Sequence, residues 1–105
     1  MKILFDQGVP VPLRRHLKNH AVDTAYEQGW SALENGDLLN GAEKSGYQLP
    51  ITTDQNLKYQ QNLTERKIAI IVLLSTFWPR LRSLVDEISI AVDKVQPGDY
   101  IEIPI

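Results

Sequence analysis

The stretch Ile68-Ala69-Ile70-Ile71-Val72-Leu73-Leu74 decides the fold. It is apolar without alternation, the pattern of a parallel strand covered on both faces. Beyond it, Pro79 opens a helix in which Leu81, Leu84, Val85, Ile88, Val92 and Val95 follow the three-four spacing of one buried stripe. Gln96-Pro97-Gly98 ends that helix. From Tyr100 to Ile105, Ile101, Ile103 and Ile105 alternate with Tyr100, Glu102 and Pro104, as in a half-exposed strand.

Upstream, Leu49 to Thr53 reads as a strand and 54–64 as a polar turn with a short helix. Leu38, Leu39 and Ala42 lie on a helix that Asn35 is placed to cap and Gly46 to end. Ala21 to Ala25 forms another strand. Pro10 and Pro12 open a helix reaching Lys18, with Leu13 and Leu17 on one face. Lys2 to Phe5 is a first buried strand that meets a loop at Asp6 and Gly8. The order is βαβαβαβαβ over residues 1–105 as a single domain, an α/β sheet with helices on both faces and therefore three layers.

Composition fits this frame. The chain has 105 residues, 43 % of them hydrophobic and 23 % charged, which excludes disorder, collagen-like repeats and coiled coil. With no Cys there is no disulfide scaffold, zinc-thiolate site or cysteine nucleophile. The longest apolar run falls far short of the roughly 20 residues of a membrane span. A charge at Asp6 comes too early for a signal peptide, so the expected location is cytoplasmic.

Two prolines bear on strand order. Proline donates no ladder hydrogen bond and belongs at an edge, a strand start or a bulge. Pro50 lies in strand three and Pro104 in strand five. The order 3-2-1-4-5 puts both at edges and predicts a five-stranded, mostly parallel sheet. The flavodoxin-like order 2-1-3-4-5 would bury Pro50 in the centre.

In open α/β sheets ligands bind beyond the carboxyl ends of the strands. Asp6 follows strand one, Asp54 follows strand three, and Asp37 falls in the first turn of the helix after strand two. Glu27, in the loop after strand two, is a fourth candidate. Such a set suits Mg²⁺ or Mn²⁺, hard ions that take oxygen ligands and assist phosphodiester cleavage. The plain alternative is that each aspartate is only a turn former or helix cap. Arg14, Arg15, Thr53, Lys58 and Ser75 are candidate substrate contacts near the same rim, with Tyr59 beside them. His16 and His20 read as solvated or partly packed side chains, and Trp30, Phe77 and Trp78 as core or seam residues, rather than as ligands.

Ile3-Leu4-Phe5-Asp6, Asn35-Gly36-Asp37-Leu38-Leu39 and Ile51-Thr52-Thr53-Asp54-Gln55-Asn56-Leu57 together resemble a short PIN-like domain of prokaryotic toxin–antitoxin pairs. The resemblance covers most of the chain. It implies a 3-2-1-4-5 sheet, Mg²⁺ or Mn²⁺ as cofactor, and metal-binding and catalytic roles for Asp6, Asp37 and Asp54. It also implies an RNA substrate, ribonuclease (hydrolase) activity and a small protein antitoxin as partner, with a homodimer left open. Gln7 stands where relatives often carry Glu, and Ser75 and Thr76 stand where larger PIN domains place a further acid.

The expected function is thus a metal-dependent endoribonuclease, the toxin of such a pair. Two alternatives stand beside it: a response-regulator receiver-like signalling domain, and a catalytically reduced PIN-like binding protein. Charge does not exclude RNA. Thirteen acids against eleven bases give −2, and without Asp6, Asp37 and Asp54 ten acids face eleven bases. That balance predicts a substrate held mainly through the metal site rather than by strong non-specific attraction.

Overall fold

Strand β1 (Lys2–Phe5) is hydrogen-bonded in parallel to β2 (Ala21–Thr24) on one side and to β3 (Leu49–Thr52) on the other. β3 pairs in turn with β4 (Ile70–Leu73), and β4 with β5 (Tyr100–Ile103), all parallel. The computed structural model that shows this describes residues 1–33, 35–57 and 66–105. The sheet order is β2-β1-β3-β4-β5.

The five-stranded α/β sheet is as expected, but the order 3-2-1-4-5 is not. β3 lies in the centre, not at an edge. Pro50 is tolerated there because peptide groups along a strand face alternate sides. The Ile51 carbonyl accepts from the Asp6 N–H on the β1 side, so the peptide group of Pro50 faces β4. Pairing with β4 begins only at Ile51↔Ile71 and continues at Thr52↔Val72. The missing donor thus sits at the start of that ladder. All four β3 residues are buried, a strong reason for a central place, whereas β2 carries Asp23 and sits at the edge. Pro104 lies just past the end of the edge strand β5.

Alternate strand residues face opposite layers. Ile3, Phe5, Ile51, Ile71 and Leu73 are buried with Leu13, Leu17, Leu81, Ile88 and Val92. Leu4 is buried instead with Leu38, Ala42 and Tyr47, and Ile70 and Val72 with Leu39 and Leu57. The first layer holds a 3-10 helix (Val11–His16), α2 (Trp78–Arg82) and α3 (Val85–Lys94); the second holds α1 (Asn35–Lys44). Among the described residues no helix is long and apolar enough to cross a membrane.

Two helices differ from expectation. The segment after Pro10 is a 3-10 helix: the Leu13 N–H bonds the Pro10 carbonyl and the Leu17 N–H bonds that of Arg14. The helix stops at Leu17, whose φ of −116° and ψ of 46° leave the helical region, so no α-helix reaches Lys18. The predicted continuous helix from Pro79 is broken at Ser83 and Leu84. There the Ser83 hydroxyl and N–H both donate to the Arg80 carbonyl, drawing it out of the α-helical ladder.

Candidate functional site

Because β1 and β3 are neighbours and parallel, the residues that follow them emerge side by side at the carboxyl edge of the sheet. Strand order reverses between these two strands, the place where open α/β sheets form ligand crevices. Asp6 comes from β1; Thr52, Thr53 and Asp54 come from β3. The Thr52 hydroxyl donates to Asp6 Oδ2 at 2.7 Å and accepts from the Asp54 N–H at 3.1 Å, so one buried side chain ties both carboxylate loops together. Asp6 Oδ1 accepts from the Gln7 N–H at 2.7 Å. Asp54 Oδ1 accepts from the Asn56 N–H at 3.0 Å, and the Gln55 side chain reaches the Leu74 carbonyl at the end of β4.

Asp6 and Asp54 line one open depression of about 400 Å³ with Gln7, Gly8, Ser31, Ala32 and Leu33. Its wall is tight at Gly8, where a Cβ would collide with the Thr53 hydroxyl and lie 3.7 Å from Thr76 Cγ2. Glycine lets these loops close without displacing the Thr53 hydroxyl.

The other candidates separate. Asp37 is exposed in the first turn of α1 and does not line the depression, although Leu38 and Leu39 share a small gap with Asp6. Among the described residues no group of three or more His, Asp or Glu side chains is placed to hold a metal ion. Glu27 is engaged elsewhere. Its Oε1 accepts from Arg14 Nη2 at 2.7 Å and from the Thr24 N–H at 2.9 Å, and its own N–H donates to Thr24 Oγ1 at 3.0 Å. The Arg14 hydrogen bond, followed by that of the Thr24 backbone, holds the Glu27 carboxyl below its ordinary value. Arg14 is occupied by the same pair.

Arg15 is exposed on the 3-10 helix, and Ser75 Oγ accepts from the Phe77 N–H at 3.0 Å. Lys58 and Tyr59 lie outside the described residues. His16 stacks at a tilt on Trp78, and His20 bonds Asp93 and the chain's amino group. Trp30 lies against the cluster around Leu38 and Tyr47, as expected of a packed side chain. Phe77 is a correction: it is 58 % exposed at the loop after β4, not a core residue. Sequence reasoning also missed Thr52 and Gly8. The Thr52-Thr53 doublet before Asp54 was the only local signal, and pairing with Asp6 is a tertiary fact.

The donor chemistry fits a hard divalent cation. Each Asp6 oxygen accepts one hydrogen bond and keeps capacity for another, and Asp54 Oδ2 has no partner among the described residues. Mg²⁺ commonly binds through one or two carboxylates with waters completing its shell. No family model, curated protein or solved structure matches the chain.

Proposed function

We propose that this protein is a divalent-metal-dependent ribonuclease of PIN-like type, with Asp6 and Asp54 as the residues that hold Mg²⁺ or Mn²⁺. The observation that carries this is the juxtaposition of the two carboxylates in one open, polar depression at the carboxyl ends of neighbouring parallel strands. When bound, the ion supplies positive charge that offsets the negative charge developing on a cleaved phosphodiester. Thr52 holds Asp6 in one orientation. The thin acidic set, two carboxylates in the depression, predicts slow turnover. Arg15, exposed on the 3-10 helix that follows β1, is the substrate-contact candidate left free of the Glu27 pair. The role of toxin, and a small antitoxin as partner, are supported by the resemblance of the Asp6, Asp37 and Asp54 segments to such proteins.

The test is cleavage of single-stranded RNA with Mn²⁺ or Mg²⁺ by the wild-type protein, Asp6→Asn and Asp54→Asn. Each substitution should lower the rate ~100-fold or more, beyond what loss of a supporting contact costs. Equal cleavage by all three, or by none, rejects the reading.

The strand order favours a second reading. β2-β1-β3-β4-β5 is the order of receiver-type domains, in which an aspartate after β3 accepts a phosphoryl group. Asp54 and Ser75 occupy suitable loops, but Gln7 beside Asp6 departs from the paired acid of receivers. Acetyl phosphate with Mg²⁺ labels Asp54 under this reading and leaves it unlabelled under the first.

A further inference from the structure

The edge of the sheet that carries Asp6 and Asp54 also carries two of the five exposed large apolar side chains among the described residues, and both are aromatic. Tyr26, 79 % exposed, follows β2, and Phe77, 58 % exposed, follows β4. In the order β2-β1-β3-β4 they flank the strands that bear the two aspartates, one on each side. Both loops reach the depression. The loop after β2 supplies Ser31, Ala32 and Leu33 to its wall, and Thr76 stands against Gly8 on the opposite side.

Two exposed aromatic faces thus stand either side of the carboxylate pair. The basic side chains fall in the same places. Arg15 follows β1 on the 3-10 helix, and Arg80 and Arg82 follow β4 on α2; all three are exposed and in no ion pair among the described residues. Aromatic faces interleaved with cations form the recurring surface for unpaired nucleic acid, in which bases stack while phosphates meet the charges.

We propose that Tyr26 and Phe77 are base-stacking residues that hold an unpaired RNA strand across the Asp6–Asp54 depression and so exclude duplex substrates. This rests on the ribonuclease reading above and adds its specificity determinants. Three strand spacings of ~4.8 Å separate the β2 and β4 loops by roughly 14 Å. A stacked strand advances about 3.4 Å per nucleotide, so the two platforms stand about four nucleotides apart. The phosphodiester over the acids then lies between a base on Tyr26 and a base on Phe77. A duplex has its bases stacked internally and offers neither platform a free face.

The test measures binding without cleavage, in EDTA, by fluorescence anisotropy of a labelled ten-nucleotide oligo(A) and of the same strand paired with oligo(U). The proteins are wild type, Tyr26→Ala, Phe77→Ala, Tyr26→Phe and Phe77→Trp. Both positions are exposed, and thermal melts confirm that each variant folds. Each alanine variant should bind oligo(A) about tenfold more weakly, with affinity kept by the aromatic replacements and weak duplex binding unchanged. No oligo(A) binding by the wild type, or alanine variants that bind like the wild type, overturns the proposal and leaves the two aromatics to a protein partner. The two failures are distinguishable. Stacking-dependent binding without metal-dependent cleavage removes the ribonuclease reading alone, whereas cleavage with an unchanged KM in both alanine variants removes the platforms alone.

Discussion

Thr52 donates its hydroxyl proton to Asp6 Oδ2 at 2.7 Å, across the junction of two neighbouring strands. Thr52 Oγ1 in turn accepts the Asp54 N–H, so a single buried hydroxyl sets the relative position of both acids. Replacing it with valine keeps the shape and strands a buried donor.

Thr52→Val should therefore cost about 1–3 kcal/mol of stability, the range for an unsatisfied buried polar group. It should also lower metal-dependent cleavage while leaving RNA affinity in EDTA intact, because Asp6 loses its orientation and the outer surface does not change. Thr52→Ser retains both hydrogen bonds and should retain both properties. Urea unfolding with cleavage assays on the three proteins checks this.

Gly8→Ala introduces a Cβ into the space of the Thr53 hydroxyl. The hydroxyl can turn away, so the expected loss is moderate, about 1–3 kcal/mol as for other overpacked sites. Thr53→Ala removes the obstructing oxygen. The double variant should recover most of the loss, which a double-mutant cycle by urea denaturation measures.

Glu27 governs acid stability at the end of β2. Its folded-state carboxyl titrates below the ordinary value of 4.5, first through Arg14 and then through the Thr24 backbone. A depressed carboxyl contributes stability above about pH 4.5 that is lost as the pH falls through its folded value. Glu27→Gln should lower stability most above pH 4.5 and flatten the fall below it, so that the two proteins converge as the pH drops. Salt should shrink the difference, since the ion pair is half-exposed. Urea midpoints between about pH 3 and 7, at low and high salt, provide the comparison.

Tyr47 governs the alkaline side. It is buried, its hydroxyl donates to Asp23 Oδ2 at 2.7 Å, and Lys2 Nζ lies 4.2 Å from its ring centroid. Burial first, then the hydrogen bond and negative charge of Asp23, raise its titration well above the ordinary 10.0. A phenol raised on folding contributes stability that is complete below pH 10.0 and declines as the pH climbs beyond it. Tyr47→Phe should cost ~1.5–3 kcal/mol at neutral pH, through the lost charge-assisted hydrogen bond. It should also remove part of the fall in stability above pH 10.0, measured by urea unfolding at stepped pH.

Much of the architecture was legible because it is written in local periodicity. The unbroken apolar run around Ile70 to Leu73 and the stripe Leu81, Ile88 and Val92 appear in the structure as a buried strand and a buried helical face. Strand ends moved inward by one or two residues, as at Ile68 and Ile105, because pairing stops where the neighbouring strand stops. The Ser83 break was not legible, since it depends on one hydroxyl choosing a carbonyl over water.

At the site, Asp6 and Asp54 were found from their positions after strands, and the structure brings them into one depression. Glu27, a candidate metal ligand by sequence, and Arg14, a candidate substrate contact, are bound to each other, a contact between residues thirteen apart that no spacing rule encodes. Phe77, expected in the core or its seam, is exposed, because it caps α2 from outside while Trp78 and Leu81 turn toward the core.

By itself the sequence determined which segments become strands and helices and which carboxylates leave the carboxyl ends of strands, since both follow from side chains near in the chain. Tertiary structure alone decided that β3 lies between β1 and β4 and that Thr52 meets Asp6. Strand order is a choice among distant pairings with nearly equal backbone hydrogen bonding. Burial of Leu49, Ile51 and Thr52 on both faces outweighed one missing donor at Pro50, and placed the two acids side by side.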